Sequence, residues 1–164
     1  MYITTDNLYD DFSEAAAGAA RLVRRFKITS AQVLSLFTSP ITLMKAPGAG
    51  KTFLVWGWLI HKPAGTAYVV AAGTDLEIRY ENNAGLITLF AETTGFLDQT
   101  TEQTRFINGP SGAAGTIYGP ININTQAKEN VPLILDIASA NVTTGTSDLY
   151  IDLYYSIIPI RPKG

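Results

Sequence analysis

The sequence contains no cysteine and a single histidine, His61. The first absence excludes disulfides, thiolate nucleophiles and zinc–cysteine centres together. The second excludes a multi-histidine metal site and makes any Ser-His-Asp triad depend on one residue. Charge is also scarce: Asp, Glu, Lys and Arg make up 16% of the chain, with a net charge of −2. No long basic run occurs, so the clustered cations that drive non-specific nucleic-acid binding are missing. The longest apolar run, residues 53–60 around Gly57, falls well short of the ~20 residues a membrane helix needs. The opening Met1-Tyr2-Ile3-Thr4-Thr5-Asp6 lacks the basic and apolar regions of a secretory leader. A soluble protein made in the cytoplasm is the expectation, with no membrane or nucleic-acid partner.

What is present is apolar and well suited to folding. Hydrophobic residues make up 46% of 164 positions, enough for one domain with a proper core. With no disulfides, stability must come from that core or from oligomerisation.

The one string that resembles chemistry is Gly48-Ala49-Gly50-Lys51-Thr52. A phosphate-binding loop reads G-x-x-x-x-G-K-[ST], and its first glycine would fall at Lys45. Its lysine must also open a helix whose amides cradle the phosphate. Here the next residues are Phe53-Leu54-Val55-Trp56-Gly57-Trp58-Leu59-Ile60, which favour strand. The reading is a hairpin turn at Pro47–Gly50, with Lys51 at a solvated strand start.

Residues 1–27 differ from the rest. Asp10 and Asp11 precede an alanine-rich stretch that closes on Arg21, Arg24, Arg25 and Lys27, the polarity a helix dipole favours. Phe12, Ala15, Ala16, Ala19, Leu22, Val23 and Phe26 recur at three-to-four spacing, which predicts a helix over residues 12–26. Gly18 costs it about 1 kcal/mol relative to alanine. A lone helix of this length is marginal, so it should order against its own β-domain or act as an arm on a neighbouring subunit. Phe12, Leu22, Val23 and Phe26 are its candidate interaction residues.

From residue 28 onward the signals are β. Strands are predicted over residues 28–37, 41–44, 52–61, 66–71, 75–81, 86–90, 131–139 and 149–158, with a further short one at 121–124. In the clearest, Leu76, Ile78 and Tyr80 alternate with Asp75, Glu77, Arg79 and Glu81. Residues 91–120 are weakly patterned and rich in glycine. Residues 141–146 are read as a hairpin loop between the last two strands. With no helices to carry parallel crossovers, the sheet is antiparallel. The fold class is all-β: a jelly-roll-like β-sandwich over residues 28–164 with an N-terminal helical arm over 1–27. An immunoglobulin-like sandwich is the alternative, usually with fewer strands.

Strict alternation along residues 52–61 places Phe53, Val55 and Leu59 on one face and Leu54, Trp56, Trp58 and Ile60 on the other. Both faces are then apolar, whereas an antiparallel sheet normally solvates one. The surplus face calls for cover from the N-terminal helix, a loop or another subunit; a subunit contact is favoured, since aromatics concentrate in interface cores. Trp56 and Trp58 are its candidate residues.

No catalytic, cofactor or metal site emerges. His61 sits at a strand end with no serine or carboxylate beside it in sequence. Asp136 and Asp152 are the acids most embedded in apolar strands and are read as edge or interface residues. Tyr150 and Tyr154 with Asp148 and Asp152 make an alternative sugar-binding face.

Two stretches carry a family resemblance. Ser39-Pro40-Ile41-Thr42-Leu43 followed by Ala46-Pro47-Gly48-Ala49-Gly50-Lys51 resembles the segment T-P-I-x-L-(V/M)-x-A-P-G-(A/K)-G-K of a class of tailed-bacteriophage structural proteins, with Ser39 in place of threonine. Ser139-Ala140-Asn141-Val142-Thr143-Thr144-Gly145-Thr146-Ser147-Asp148-Leu149, with Tyr154-Tyr155, is similar to the closing hairpin of the same class. The likeness spans most of residues 30–158 and consists of turn and strand patterns, not active-site signatures. It implies a non-enzymatic virion protein, a head decoration (cement) protein that binds the major capsid protein on the outer capsid surface, often as a homotrimer and without cofactors. A receptor- or glycan-binding module of a head or tail fibre is the alternative. The first 27 residues lie outside the likeness and by analogy would be an attachment arm.

Overall fold

A computed structural model of the chain describes residues 21–71, 74–81, 90–92, 95–108 and 129–160. Among these residues ten strands and one short helix follow in order: β1 (Leu22–Ile28), α1 (Ser30–Val33), β2 (Ile41–Met44), β3 (Lys51–Lys62), β4 (Tyr68–Val69), β5 (Leu76–Tyr80), β6 (Phe90–Glu92), β7 (Gln103–Asn108), β8 (Leu133–Ile137), β9 (Thr143–Thr144) and β10 (Leu149–Pro159). They form two four-stranded sheets, ordered β1-β10-β3-β7 and β2-β8-β5-β6, with a small β4-β9 pair. Every registered pairing is antiparallel. The fold is all-β with antiparallel sheets, as the missing crossover helices required.

The two large sheets share one core. Phe53, Trp58, Ile60, Leu149, Ile151 and Leu153 from the first join Leu76, Ile78, Leu133, Leu135 and Ile137 from the second in a single apolar cluster. Side chains of this size contribute roughly 1.5–3 kcal/mol each on full burial. The expected alternation of β10 is present, with Leu149, Ile151, Leu153 and Tyr155 buried.

The N-terminal expectation is corrected over its last turns. Residues 22–26, expected at the end of a helix, lie in β1, which pairs with β10 from Leu22–Tyr155 to Ile28–Leu149. The strand buries Leu22 and Ile28, half-buries Phe26 and exposes Val23, Arg24, Arg25 and Lys27; the same residues also satisfy helical spacing, and pairing with β10 decides between them. Residues 1–20, including Phe12, lie outside the described residues. So do residues 121–124 and residues 86–89 of the strand expected at 86–90, whose last residue, Phe90, opens β6.

The strand expected at residues 28–37 is replaced by a turn of helix. Thr29 caps α1 in a capping box, its hydroxyl accepting from the Gln32 amide while Gln32 Oε1 accepts from the Thr29 amide. That T-x-x-Q signature stops the strand. The run at 66–71 yields only Tyr68–Val69, paired with Thr143–Thr144.

Two expected hairpins are also corrected. β2 and β3 belong to different sheets, as do β8 and β10, so their connections carry the chain from one sheet to the other. The 45–50 connection still turns on its glycines: Gly48 and Gly50 have φ of 102° and 72°, a region that L side chains enter only at a cost. The Gly48 amide donates to Asn130 Oδ1 at 2.9 Å and the Gly50 amide to Glu129 Oε1 at 2.7 Å. The amides that a phosphate loop would aim at a nucleotide are therefore held by the chain's own side chains, and Lys51 opens a strand.

At the other end of β3 the Lys62 side chain is buried, and its ammonium donates to the Gln99 carbonyl at 2.7 Å. Burial pushes its pKa down, an effect partly offset by Asp98. The contact ties loop 95–102 to the end of the sheet.

Candidate interaction face

The outer face of the β1-β10-β3-β7 sheet gathers the side chains that the core does not use. Its register brings residues into rows. One row is Lys27, Tyr150, His61 and Thr104; the next is Arg25, Asp152, Leu59 and Phe106. In a third, Val23 and Tyr154 lead to Gly57, which has no side chain to present.

This face owes its composition to a bulge in β3. Tyr154 pairs with Gly57 but Tyr155 pairs with Val55, so Trp56 is the extra residue. One inserted residue reverses the facing of everything after it. Phe53 and Val55 point inward before the bulge; Trp58, Ile60 and Lys62 are buried after it. Trp56 is 37% exposed and Trp58 0%. The strict alternation expected for this strand is thereby corrected: Trp58 and Ile60 belong to the core, and Leu54, Trp56 and Leu59 to the other side.

The outer face is apolar and aromatic at its centre. Phe106 is 52% exposed and Tyr150 42% exposed. The Phe106 and Tyr154 rings meet edge-on at 5.7 Å over the position that Gly57 leaves open. The Trp56 indole N–H donates to Ser156 Oγ at 3.0 Å, and the Arg21 guanidinium lies 4.6 Å from the centroid of its ring. His61 lies 6.0 Å from Tyr150, ring to ring, with Nδ1 2.9 Å from Thr104 Oγ1 and 3.7 Å from Glu102 Oε1.

Two of its cations, Arg25 and Lys27, are paired with acids. Arg25 grips Asp152 through two parallel bonds, Nε to Oδ1 at 3.0 Å and Nη2 to Oδ2 at 3.3 Å. Lys27 Nζ is 3.0 Å from Asp148 Oδ2, and Asp148 Oδ1 accepts the Ser30 amide at 2.9 Å. Hydrogen bonding from Lys27 and from that amide holds the Asp148 carboxyl below its usual range, and the same bond raises the Lys27 pKa. Asp148 and Asp152 are thus committed to β1, which leaves Tyr150 and Tyr154 without free acid partners for a sugar.

Of the candidate interaction residues, Val23 and Trp56 reach this face. Leu22, Phe26 and Trp58 point into the core instead, for the strand and bulge reasons given above. Phe106 and Arg21 are not legible as site residues in the sequence. Phe106 lies in the weakly patterned stretch, where no alternation marks a strand. Asp136 and Asp152, expected at an edge or interface, lie on β8 and β10, each flanked by strands on both sides. Among the described residues no three His, Asp or Glu side chains cluster as metal ligands, and no helix is long and apolar enough to cross a membrane.

Comparisons with known proteins found no matching family model, no matching curated protein and no matching solved structure.

Proposed function

We propose that the chain is a non-enzymatic structural protein of a tailed-bacteriophage particle, an oligomer that decorates the outer capsid surface and stabilises the shell. The observation that carries this reading is the exposed apolar face of Trp56, Leu59, Phe106 and Tyr154, beside which Arg25 and Lys27 are paired with Asp152 and Asp148. A contiguous apolar patch rimmed by satisfied polar groups is the surface of a protein–protein contact. Against a shell it would add buried area at the joints between major capsid subunits, and many weak contacts on one particle act together.

The strand order supports the same reading. Leaving out the two-residue strands, the eight longer ones fall in the orders 1-8-3-6 and 2-7-4-5, the interleaving of a jelly roll. The motif resemblance of residues 39–51 and 139–155 points to the same class of virion proteins. A glycan-binding role draws support from Tyr150 and Tyr154 on the outer face, but the pairing of Asp148 and Asp152 with Lys27 and Arg25 weakens it.

The test is co-sedimentation with empty shells of the phage that encodes the chain, alongside sedimentation velocity of the free protein. The wild type is expected to pellet with shells and to run as an oligomer. A Trp56→Glu/Phe106→Glu double variant should stay in the supernatant while melting as the wild type does. Wild-type protein that never pellets with shells overturns the reading, and a monomer at high micromolar concentration overturns its oligomeric part. A truncation that asks whether the N-terminal segment matters must stop at residue 20, because residues 22–28 build an edge strand of the sheet.

A further inference from the structure

A groove of about 720 Å³ opens on the side of the molecule where β1 and β2, each the terminal strand of its sheet, lie next to one another. Its floor is apolar, built from Leu43, Met44, Phe53, Tyr155 and Ile157. Three cations line it: Arg24, Lys45 and Lys51. No acid lines it, and no ion pair joins these three cations to a carboxylate among the described residues. Arg24 occupies a core-facing position of β1, where its guanidinium reaches the Met44 sulfur at 3.6 Å across the gap between the sheets. An apolar floor under a rim of one sign selects an occupant that is both apolar and anionic.

The chain itself contains such a segment. Residues 1–20 carry Asp6, Asp10, Asp11 and Glu14 and no Lys or Arg, interspersed with Tyr2, Ile3, Leu8, Tyr9 and Phe12. The place where they join the fold is decisive. β1 begins at Leu22, which pairs with Tyr155, a groove residue, and Arg24 follows two positions later. A twenty-residue segment can extend about 65 Å, so it reaches the whole groove from that tether. A tethered ligand has an effective concentration in the millimolar range, which favours it over a free peptide or a second copy.

We propose that residues 1–20 dock in their own groove, their acids meeting Arg24, Lys45 and Lys51 and their aromatics covering Phe53 and Ile157. This goes beyond the capsid-decorating reading and does not depend on it, since it concerns the free protein and a different side of the molecule from the aromatic sheet face.

The absence of cysteine makes the test clean. Full-length protein carrying Ser13→Cys with Ala46→Cys, a residue of the groove, is compared with Ser13→Cys paired with Thr100→Cys. Thr100 lies at the opposite end of β3, where its carbonyl accepts the Gly65 amide. Disulfide formation under mild oxidation is followed on non-reducing gels. The expected result is a cross-linked monomer for the groove pair, formed at least tenfold faster than for the control, and slowed severalfold in 0.5 M salt. Lys45→Glu/Lys51→Glu should slow it likewise, and adding Asp10→Lys/Asp11→Lys should restore it. Equal rates for the two pairs, indifference to salt, or a cross-linked dimer as the main product would each overturn the proposal; the dimer would assign the groove to a second copy's segment. The salt series needs no charge variant, so it decides the matter even if the charge-reversed protein folds poorly.

Discussion

Trp56 and Trp58 stand two residues apart on one strand and face opposite sides of the sheet. Trp58 is fully buried and Trp56 rests on Ser156 in the outer face. The bulge at Trp56 causes the reversal, and the two indoles should therefore respond differently to substitution. Trp58→Ala removes a core side chain and should cost about 3–5 kcal/mol. Trp56→Ala removes a half-exposed one and should cost under about 1 kcal/mol. Urea unfolding followed by circular dichroism measures both, and equal costs would contradict the bulge.

That reversal also marks how far the sequence can be read. β10 is legible because Leu149 to Tyr155 alternate without interruption and pair on both sides. β3 is legible as a strand, but its facing is not: a bulge leaves the composition apolar on both sides, and only pairing with β10 locates the extra residue. β1 reads as helix because Leu22, Val23 and Phe26 fit helical spacing, and because Arg24 occupies a core-facing position that alternation would assign to an apolar residue. The crossings between sheets are invisible for a different reason. Periodicity tells which side of a strand is buried, not which sheet the strand joins. For the interaction face, Trp56 stands out as an aromatic in a long apolar strand, whereas Phe106 lies in a glycine-rich stretch where no period stands out.

Gly145 is required by a close approach. Its φ is 85°, and a Cβ at this position would overlap the Tyr68 ring. Gly48, at φ 102°, has open space within 4 Å of where a Cβ would stand. Gly48→Ala should thus carry only the left-handed backbone penalty, about 1–2 kcal/mol. Gly145→Ala adds steric overpacking worth roughly another 1–3 kcal/mol. Thermal melts of the two variants should separate them, and a Gly145→Ala melt as high as that of Gly48→Ala would contradict the packing of Tyr68.

Arg79 and Asp136 form the most enclosed ion pair among those described, with Arg79 Nε 2.9 Å from Asp136 Oδ2 and a second bond through Nη2. Asp136 Oδ1 also accepts the Ile137 amide at 2.7 Å. Asp136→Ala leaves a guanidinium with little solvent around it and should cost about 3–5 kcal/mol. The double variant Arg79→Met/Asp136→Leu removes both charges and should recover at least half of that loss, since apolar replacement of a buried pair is often neutral. Denaturant unfolding of the singles and the double closes the cycle. A double variant no more stable than Asp136→Ala would show that the packing around the pair, not the loss of one of its charges, sets the cost.

Alkaline pH should weaken the fold through Tyr68. Its hydroxyl donates to the Ser147 carbonyl at 2.6 Å, and burial, with Asp148 nearby, pushes its pKa up to about 12 from an ordinary 10.0. The folded state therefore keeps this proton over a range where the unfolded chain has lost it. The stabilisation is complete below pH 10 and declines as pH rises through 12, a change on the order of 2 kcal/mol. Tyr80, also raised by burial, adds a decline of the same sign. Tyr68→Phe should cost about 1 kcal/mol at neutral pH through the lost hydrogen bond, yet show a shallower loss of stability between pH 10 and 12. Urea midpoints measured at half-unit pH intervals provide the comparison, and parallel slopes for wild type and Tyr68→Phe would remove Tyr68 as the cause.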